Sequence, residues 1–189
     1  GAVLSTTINK YCYISSRPLP PFFQYRYLVR YRLREEAASP DQIRHPSVKH
    51  CLKHMNIDQG VEIVHTSDLP ARSGIGSSSA FTVGLLNTLS ALKGKMITKR
   101  QLACEAIYVE QKIIKEKVGS QDQIAAAFGG LNRIDFHPDG SFYVQPITIK
   151  SEKLTNLQEH LMFFFSGQSR IAEEVAAEQI KNTDQKQKQ

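Results

Sequence analysis

No apolar run in the sequence approaches the ~20 residues that a membrane-spanning helix requires. The longest, "LMFFF" at 161–165, has only the length of a strand. The first residues lack the basic segment and apolar stretch of a secretory signal, so a cytoplasmic protein is expected. Cysteine is scarce: Cys12, Cys51 and Cys104 are odd in number, widely spaced and without a C-x-x-C pair. That pattern excludes a disulfide framework and fits a reducing compartment. No internal repeat is visible.

What is present is ordinary for a globular chain of one or two domains: 189 residues, 41% hydrophobic and 22% charged. The net charge of +6 and the pI near 9.2 point to an anionic partner. Nucleic acid is one candidate and a phosphorylated small molecule another. The basic residues gather in "RYLVRYRLR" (26–34) and in the polar tail. The first cluster alternates as a strand with one charged, solvated face.

Residues 2–15 and 25–34 read as strands, separated by a proline-rich turn, "PLPPFF". A short helix is expected over 45–55, with Pro46 in its first turn, and a strand over 60–69. A helix begins near Ser79, with Phe81, Leu85, Leu89 and Leu92 on one face and Gly94 as its stop. Thr98 and Gln101 form a capping box that opens a helix running to 118, closed by Gly119. Ser120 and Gln123 form a second box, before a short helix that ends at Gly129-Gly130. A hairpin turning at Pro138-Asp139-Gly140 follows. "HLMFFFS" reads as a buried strand and "SRIAEEVAAEQIKN" as a helix. The mixture of hairpins and helices predicts an α+β fold.

"ARSGIGSSSAF" (71–81) raises the functional question. Gly74 and Gly76 permit close backbone approach to a ligand, the serines add donors, and a helix start adds free amides and a positive dipole end. The bland alternative is a solvent loop that caps a helix. A Walker motif is excluded because no Gly-Lys-Ser/Thr follows, and a Rossmann fingerprint because Ser79 replaces the third glycine. A serine-hydrolase elbow with Ser78 as nucleophile is a further reading, with Asp135, His137 and His160 downstream as partners. Pro70 and Gly74 interrupt the strand it needs, and Ala80 replaces its second glycine.

Glu110 favours phosphate chemistry. It falls on the apolar stripe of Leu102, Ala106, Ile113 and Ile114, where a carboxylate is costly unless paired or bound to metal. Mg²⁺ held by one carboxylate plus substrate phosphates suits that position. A stripe-edge glutamate reaching to water is the alternative. Asp122 lies in the first turn after Ser120. There an acid either favours the helix dipole or is held ready to accept a hydroxyl proton. His65, His137 and His160 lack metal-ligand spacing and read as structural or exposed.

These residues resemble the GHMP kinase superfamily. Its phosphate-loop signature, P-x-x-x-G-[LI]-G-S-S-[AS]-A, matches "PARSGIGSSSA" from Pro70 to Ala80, and its downstream acidic residue and G-x-x-D-Q match Glu110 and "GSQDQ". "GAVLSTTINKYCY", "GSQDQIAAAFGGLNRIDF" and "FFFSGQSRIAEE" look most like the branch acting on heptose 7-phosphate at its anomeric hydroxyl. The resemblance implies an N-terminal domain over 1–150 like the second domain of ribosomal protein S5. A ferredoxin-like domain would begin in 151–189. It implies ATP bound by Pro70, Arg72, Gly74, Ile75, Gly76, Ser77, Ser78, Ser79 and Ala80, and Mg²⁺ on Ser78 and Glu110. Asp122 would be the catalytic acid, and Gln121, Ser169 and Arg170 would lie near the sugar. The partner is then a sugar or sugar phosphate, with no nucleic acid and no membrane. The family's first and third motifs are not found, so both ends read as cut. A non-catalytic regulator of the same fold, binding ATP and sugar, is the alternative within the family.

Overall fold

The structure, a computed structural model, describes residues 1–70, 74–162 and 164. In chain order the elements are strands Ala2–Thr6 (β1), Cys12–Pro18 (β2), Tyr27–Arg30 (β3) and Arg34–Ala37 (β4), a 3₁₀ turn at Pro40–Gln42, helix Pro46–His54 (α1) and strand Val61–Ser67 (β5). Helices Ser77–Leu92 (α2) and Lys99–Tyr108 (α3) follow, the second continuing as a π-helical segment, Val109–Ile114. Helix Gln121–Phe128 (α4), strands Leu131–Phe136 (β6) and Phe142–Pro146 (β7), and helix Ser151–Glu159 (α5) complete the described chain. The fold is α+β.

One compact unit contains Lys10–Phe128. Its sheet has the order β2-β5-β3-β4, with β5 antiparallel to β2 and parallel to β3. A parallel pair needs a crossover, and α1 lies in it. Val61 and Ile63 point to the helical side and are buried with Val48, Leu52, Leu85 and Leu89. Glu62, between them, points to the other side. Its carboxylate meets the Arg17 guanidinium at 2.5 Å and that of Arg30 at 3.4 Å. Helix α2 lies close on β2: a Cβ at Gly84 would come within 3.0 Å of Ile14, and the Ser16 and Thr88 hydroxyls share a hydrogen bond of 2.9 Å.

The other unit joins Gly1–Asn9 to the described residues that follow Phe128. Its antiparallel sheet has the order β1-β6-β7. Phe136 pairs with Phe142 at the hairpin, and Gly140 has a φ of 83°. Ile134 is buried on β6, and the Asn132 side chain donates to the Gly129 carbonyl at 2.7 Å.

Several expectations hold closely: α1 starts on Pro46, the Thr98–Gln101 capping box is fully made, and the hairpin turns where its Pro-Asp-Gly predicts. Others are corrected. Residues 2–15 are two strands in different sheets, β1 and β2. Residues 25–34 likewise split, because the chain reverses between β3 and β4 with Tyr31 N–H donating to the Leu33 carbonyl. The helix expected to reach 118 ends at Lys115, whose φ of 66° stops it. Ser120 and Gln123 use their side chains elsewhere, on Gln111 and Glu110, rather than on each other. Helix α5 was not foreseen. Leu161, Met162 and Phe164 are exposed and form no strand, so the described part of "HLMFFFS" is not a buried strand. The helix expected over "SRIAEEVAAEQIKN" lies outside the described residues. Among the described residues no helix is long and apolar enough to cross a membrane.

Candidate functional site

Strand β5 delivers the chain to the glycine-rich loop, and α2 leaves it. Gly74 and Gly76 have φ of 75° and 72°, a left-handed backbone that a Cβ would strain. Gly76 is the N-cap of α2, so no side chain can satisfy the first-turn amides from that position. Those amides and the helix dipole are available to an anion. Ile75 and Ser78 are exposed, Ser77 and Ala80 half-buried, and Ser79 buried. Pro70, three residues past the end of β5, is exposed. The first turns of α2 are anchored by Phe81, whose ring stacks on His45 at 4.6 Å and meets His65 edge-on at 5.0 Å.

Asp122 comes to this loop from α4. A Cβ on Gly76 would lie 3.1 Å from its Cγ and 3.2 Å from its Oδ2, so glycine is required for the approach itself. Asp122 keeps a solvent-exposed edge, but the surrounding protein desolvates its carboxyl and raises its pKa above the usual carboxylate range. Gln121 beside it is exposed. The approach to α4 is tied down by Gln111, whose side-chain amide donates to the Val118 carbonyl at 3.0 Å and the Ser120 hydroxyl at 3.2 Å.

Glu110 sits on the π-helical segment and is 1% exposed. A π turn widens the helix by one residue and often accompanies a functional side chain. Its Oε2 accepts from the Ser79 hydroxyl at 3.0 Å and from the Gln123 side-chain amide. Its Oε1 and the Gln123 Oε1 are buried with no hydrogen-bond partner. The Cys51 thiol on α1 is pushed up, chiefly by burial and further by the charge of Glu110.

The loop, Glu110 and Asp122 thus converge: Asp122 touches Gly76, and Glu110 is bonded to Ser79 three residues on. The hydroxyl bonded to Glu110 is that of Ser79 and not that of Ser78. Gln123 takes part as well, though its position in the sequence suggested only a helix cap. The clue was available, since a glutamine beside the acid of "GSQDQ" has a side chain that can turn inward. Among the described residues no hydrogen bond joins Ser78 to a histidine, and Asp135 is paired with Arg133 at 3.0 Å. Arg72, Ser169 and Arg170 lie outside the described residues. No three His, Cys, Asp or Glu side chains gather into a metal cage among those described.

Residues 44–130, which span the loop, Glu110 and Asp122, match the family profile of the GHMP kinases N terminal domain. Over those residues the chain is similar to the GHMP kinases N terminal domain. It is 30% identical over 113 residues to a D-glycero-alpha-D-manno-heptose 7-phosphate kinase of Campylobacter jejuni, covering 59% of this chain and 33% of that protein. It is 32% identical over 71 residues to a galactokinase of Glaesserella parasuis, covering 38% and 18%. The fold of the GHMP kinase domain is shared with a D-glycero-D-manno-heptose 1-phosphate kinase from Bacteroides thetaiotaomicron. There the TM-score is 0.73 at 24% identity, over 83% of this chain and 54% of that one. The chain thus spans about a third of the curated heptose kinase it matches and about half of the solved one.

Proposed function

We propose that the protein is an ATP-dependent sugar kinase that phosphorylates a heptose 7-phosphate at its anomeric hydroxyl. The observation that carries the reading is the contact of Asp122 with Gly76, which brings an acid to the mouth of an anion-binding helix start. The heptose acceptor is supported by the name of the Campylobacter relative. In this reading residues 1–150 belong to the nucleotide-binding domain and 151–189 begin another. The protein acts on a small molecule in the cytoplasm, where ATP is at hand.

The loop and the first amides of α2 would hold the ATP phosphates. Asp122 would orient the attacking hydroxyl and accept its proton. A carboxyl with a raised pKa is a better proton acceptor than an ordinary one, and orientation accounts for much of phosphoryl-transfer catalysis. Glu110 fits a divalent cation: its Oε1 is buried and unpartnered, and a cation beside substrate phosphates would satisfy it. Ser78, exposed in the first turn of α2, would be the second protein ligand. When bound, Mg²⁺ supplies charge neutralisation of the transferred phosphoryl group. Gln121, exposed beside Asp122, would face the sugar; Arg72 would add positive charge for the ATP phosphates, and Ser169 and Arg170 would serve the sugar or its phosphate.

The test is ADP release over a panel of heptose 7-phosphate, unphosphorylated heptose, galactose and mevalonate, with the product bond position read by phosphorus NMR. Turnover should be highest with heptose 7-phosphate and yield a 1-phosphate. A preference for another acceptor overturns the substrate. ATP binding with no turnover on any sugar favours a non-catalytic regulator.

A further inference from the structure

The two oxygens of Glu110 are treated differently. Oε2 receives two donors, the Ser79 hydroxyl from α2 and the Gln123 amide from α4. Oε1 receives none, although it is buried. Donors converging from two helices on one oxygen fix the plane of the carboxylate and stop it from rotating to share them. We propose that Ser79 and Gln123 are positioning residues that lock Glu110 so that Oε1 stays open to the metal of a metal–nucleotide complex.

The inference rests on the kinase reading of Glu110 given above. Outer-shell hydrogen bonds of this kind orient a ligating carboxylate, and their loss typically lowers metal affinity about 10–100-fold. The position of Ser79 supports the assignment. Alanine is a better helix former than serine, so the backbone of α2 does not need the hydroxyl. In this chain the hydroxyl is buried and spent on Glu110. Gln123 is fully buried, and its Oε1 lacks a donor just as Glu110 Oε1 does. Two such acceptors on neighbouring side chains suit a cation with its bound water better than an empty core. A purely structural role, tying α2 and α4 to the π-helical segment, would leave the metal indifferent to either residue.

The experiment titrates Mn²⁺ by electron paramagnetic resonance in the presence of a non-hydrolysable ATP analogue. It uses the intact protein and the variants S79A, Q123L, E110Q and S79A/E110Q. Metal-free binding of the analogue and thermal melting are measured on the same samples. S79A and Q123L should each weaken Mn²⁺ about tenfold or more while metal-free nucleotide binding stays unchanged. In the E110Q background S79A should cost nothing further, since the oxygen it holds no longer matters. Mn²⁺ affinities within about twofold of the parent in a folded S79A would overturn the proposal, as would an undiminished S79A loss on top of E110Q. If Q123L does not fold, S79A decides alone, because alanine is accommodated at that position. Failure of the kinase reading looks different: the parent itself would bind no Mn²⁺ with the analogue, or E110Q would bind it as the parent does. Either result removes both readings.

Discussion

Two buried carboxylates lie on opposite sides of the same sheet-and-helix unit, and they are satisfied in opposite ways. Glu62, on the face of the sheet away from the helices, is flanked by the guanidinium groups of Arg17 and Arg30. Both arginines reach solvent, so the trio is a neutralised surface network with its acid at the bottom. Glu110, on the helical side, has no arginine or lysine partner among the described residues. Neutral donors cover one of its oxygens and nothing covers the other. A buried carboxylate that serves structure alone is compensated in full, because an uncompensated one is costly. One left half-satisfied next to a helix start and a second acid fits the cation site proposed above. The contrast marks Glu110, and not Glu62, as the candidate for that role without reference to sequence motifs.

The sharpest way to extend the contrast is through Asp122, which belongs with Glu110. D122N should keep ATP affinity and lose about 10²–10⁴ in kcat, read by steady-state kinetics of ADP release. Near-normal turnover would remove it from the chemistry. Next in size is the direct exchange of the two glutamates. E110Q should raise the Mg²⁺ needed for half activity by about tenfold or more, with a melting temperature unchanged or higher. S78A should raise it less. E62Q should leave the Mg²⁺ requirement alone and lower stability by about 1 kcal/mol in urea denaturation, since its partners are exposed. Reversed results would collapse the distinction.

The glycines offer a smaller test. G74A meets only the cost of a left-handed backbone, about 1–2 kcal/mol, because no described residue lies within 4 Å of its absent Cβ. G76A meets that cost and also pushes on Asp122 at 3.1 Å. Both should lower stability, but only G76A should lower kcat beyond its effect on ATP binding. The smallest effect is on pH dependence. Burial raises the pKa of Asp122, so the folded protein holds this proton to higher pH than the unfolded chain does. Stability therefore falls as pH rises from the ordinary aspartate range through the raised value. D122N should abolish that part of the fall: its melting temperature should exceed the parent's at neutral pH and converge with it in acid. A gap that stays constant with pH would mean that Asp122 is not desolvated.

The local code of this chain is readable where one residue type has one physical use. Pro46 starts a helix, Thr98 with Gln101 caps another, and Gly140 turns a hairpin, as their chemistry requires. Reading failed where neighbours far along the chain decide. The alternation of 25–34 is compatible with one strand or two, and only the pairing of β3 with β5 and β4 shows the reversal at 31–33. The pattern of 98–118 is that of an α-helix, yet the segment carrying Glu110 widens to a π turn and stops at Lys115.

For the site, the sequence by itself determined the inventory: two glycines before a helix, serines in its first turn, and two acids downstream. It determined these because left-handed backbone and free helix-start amides are properties of local residues. The tertiary structure alone decided the partnerships. Ser78 and Ser79 are adjacent and chemically identical, but successive residues of a helix point about 100° apart. Only the packing of α2 against the π-helical segment turns Ser79 toward Glu110. Gln123 could equally have capped its own helix. The orientation of α4 sent its amide into the core instead, because a buried carboxylate is a stronger acceptor than an exposed helix end.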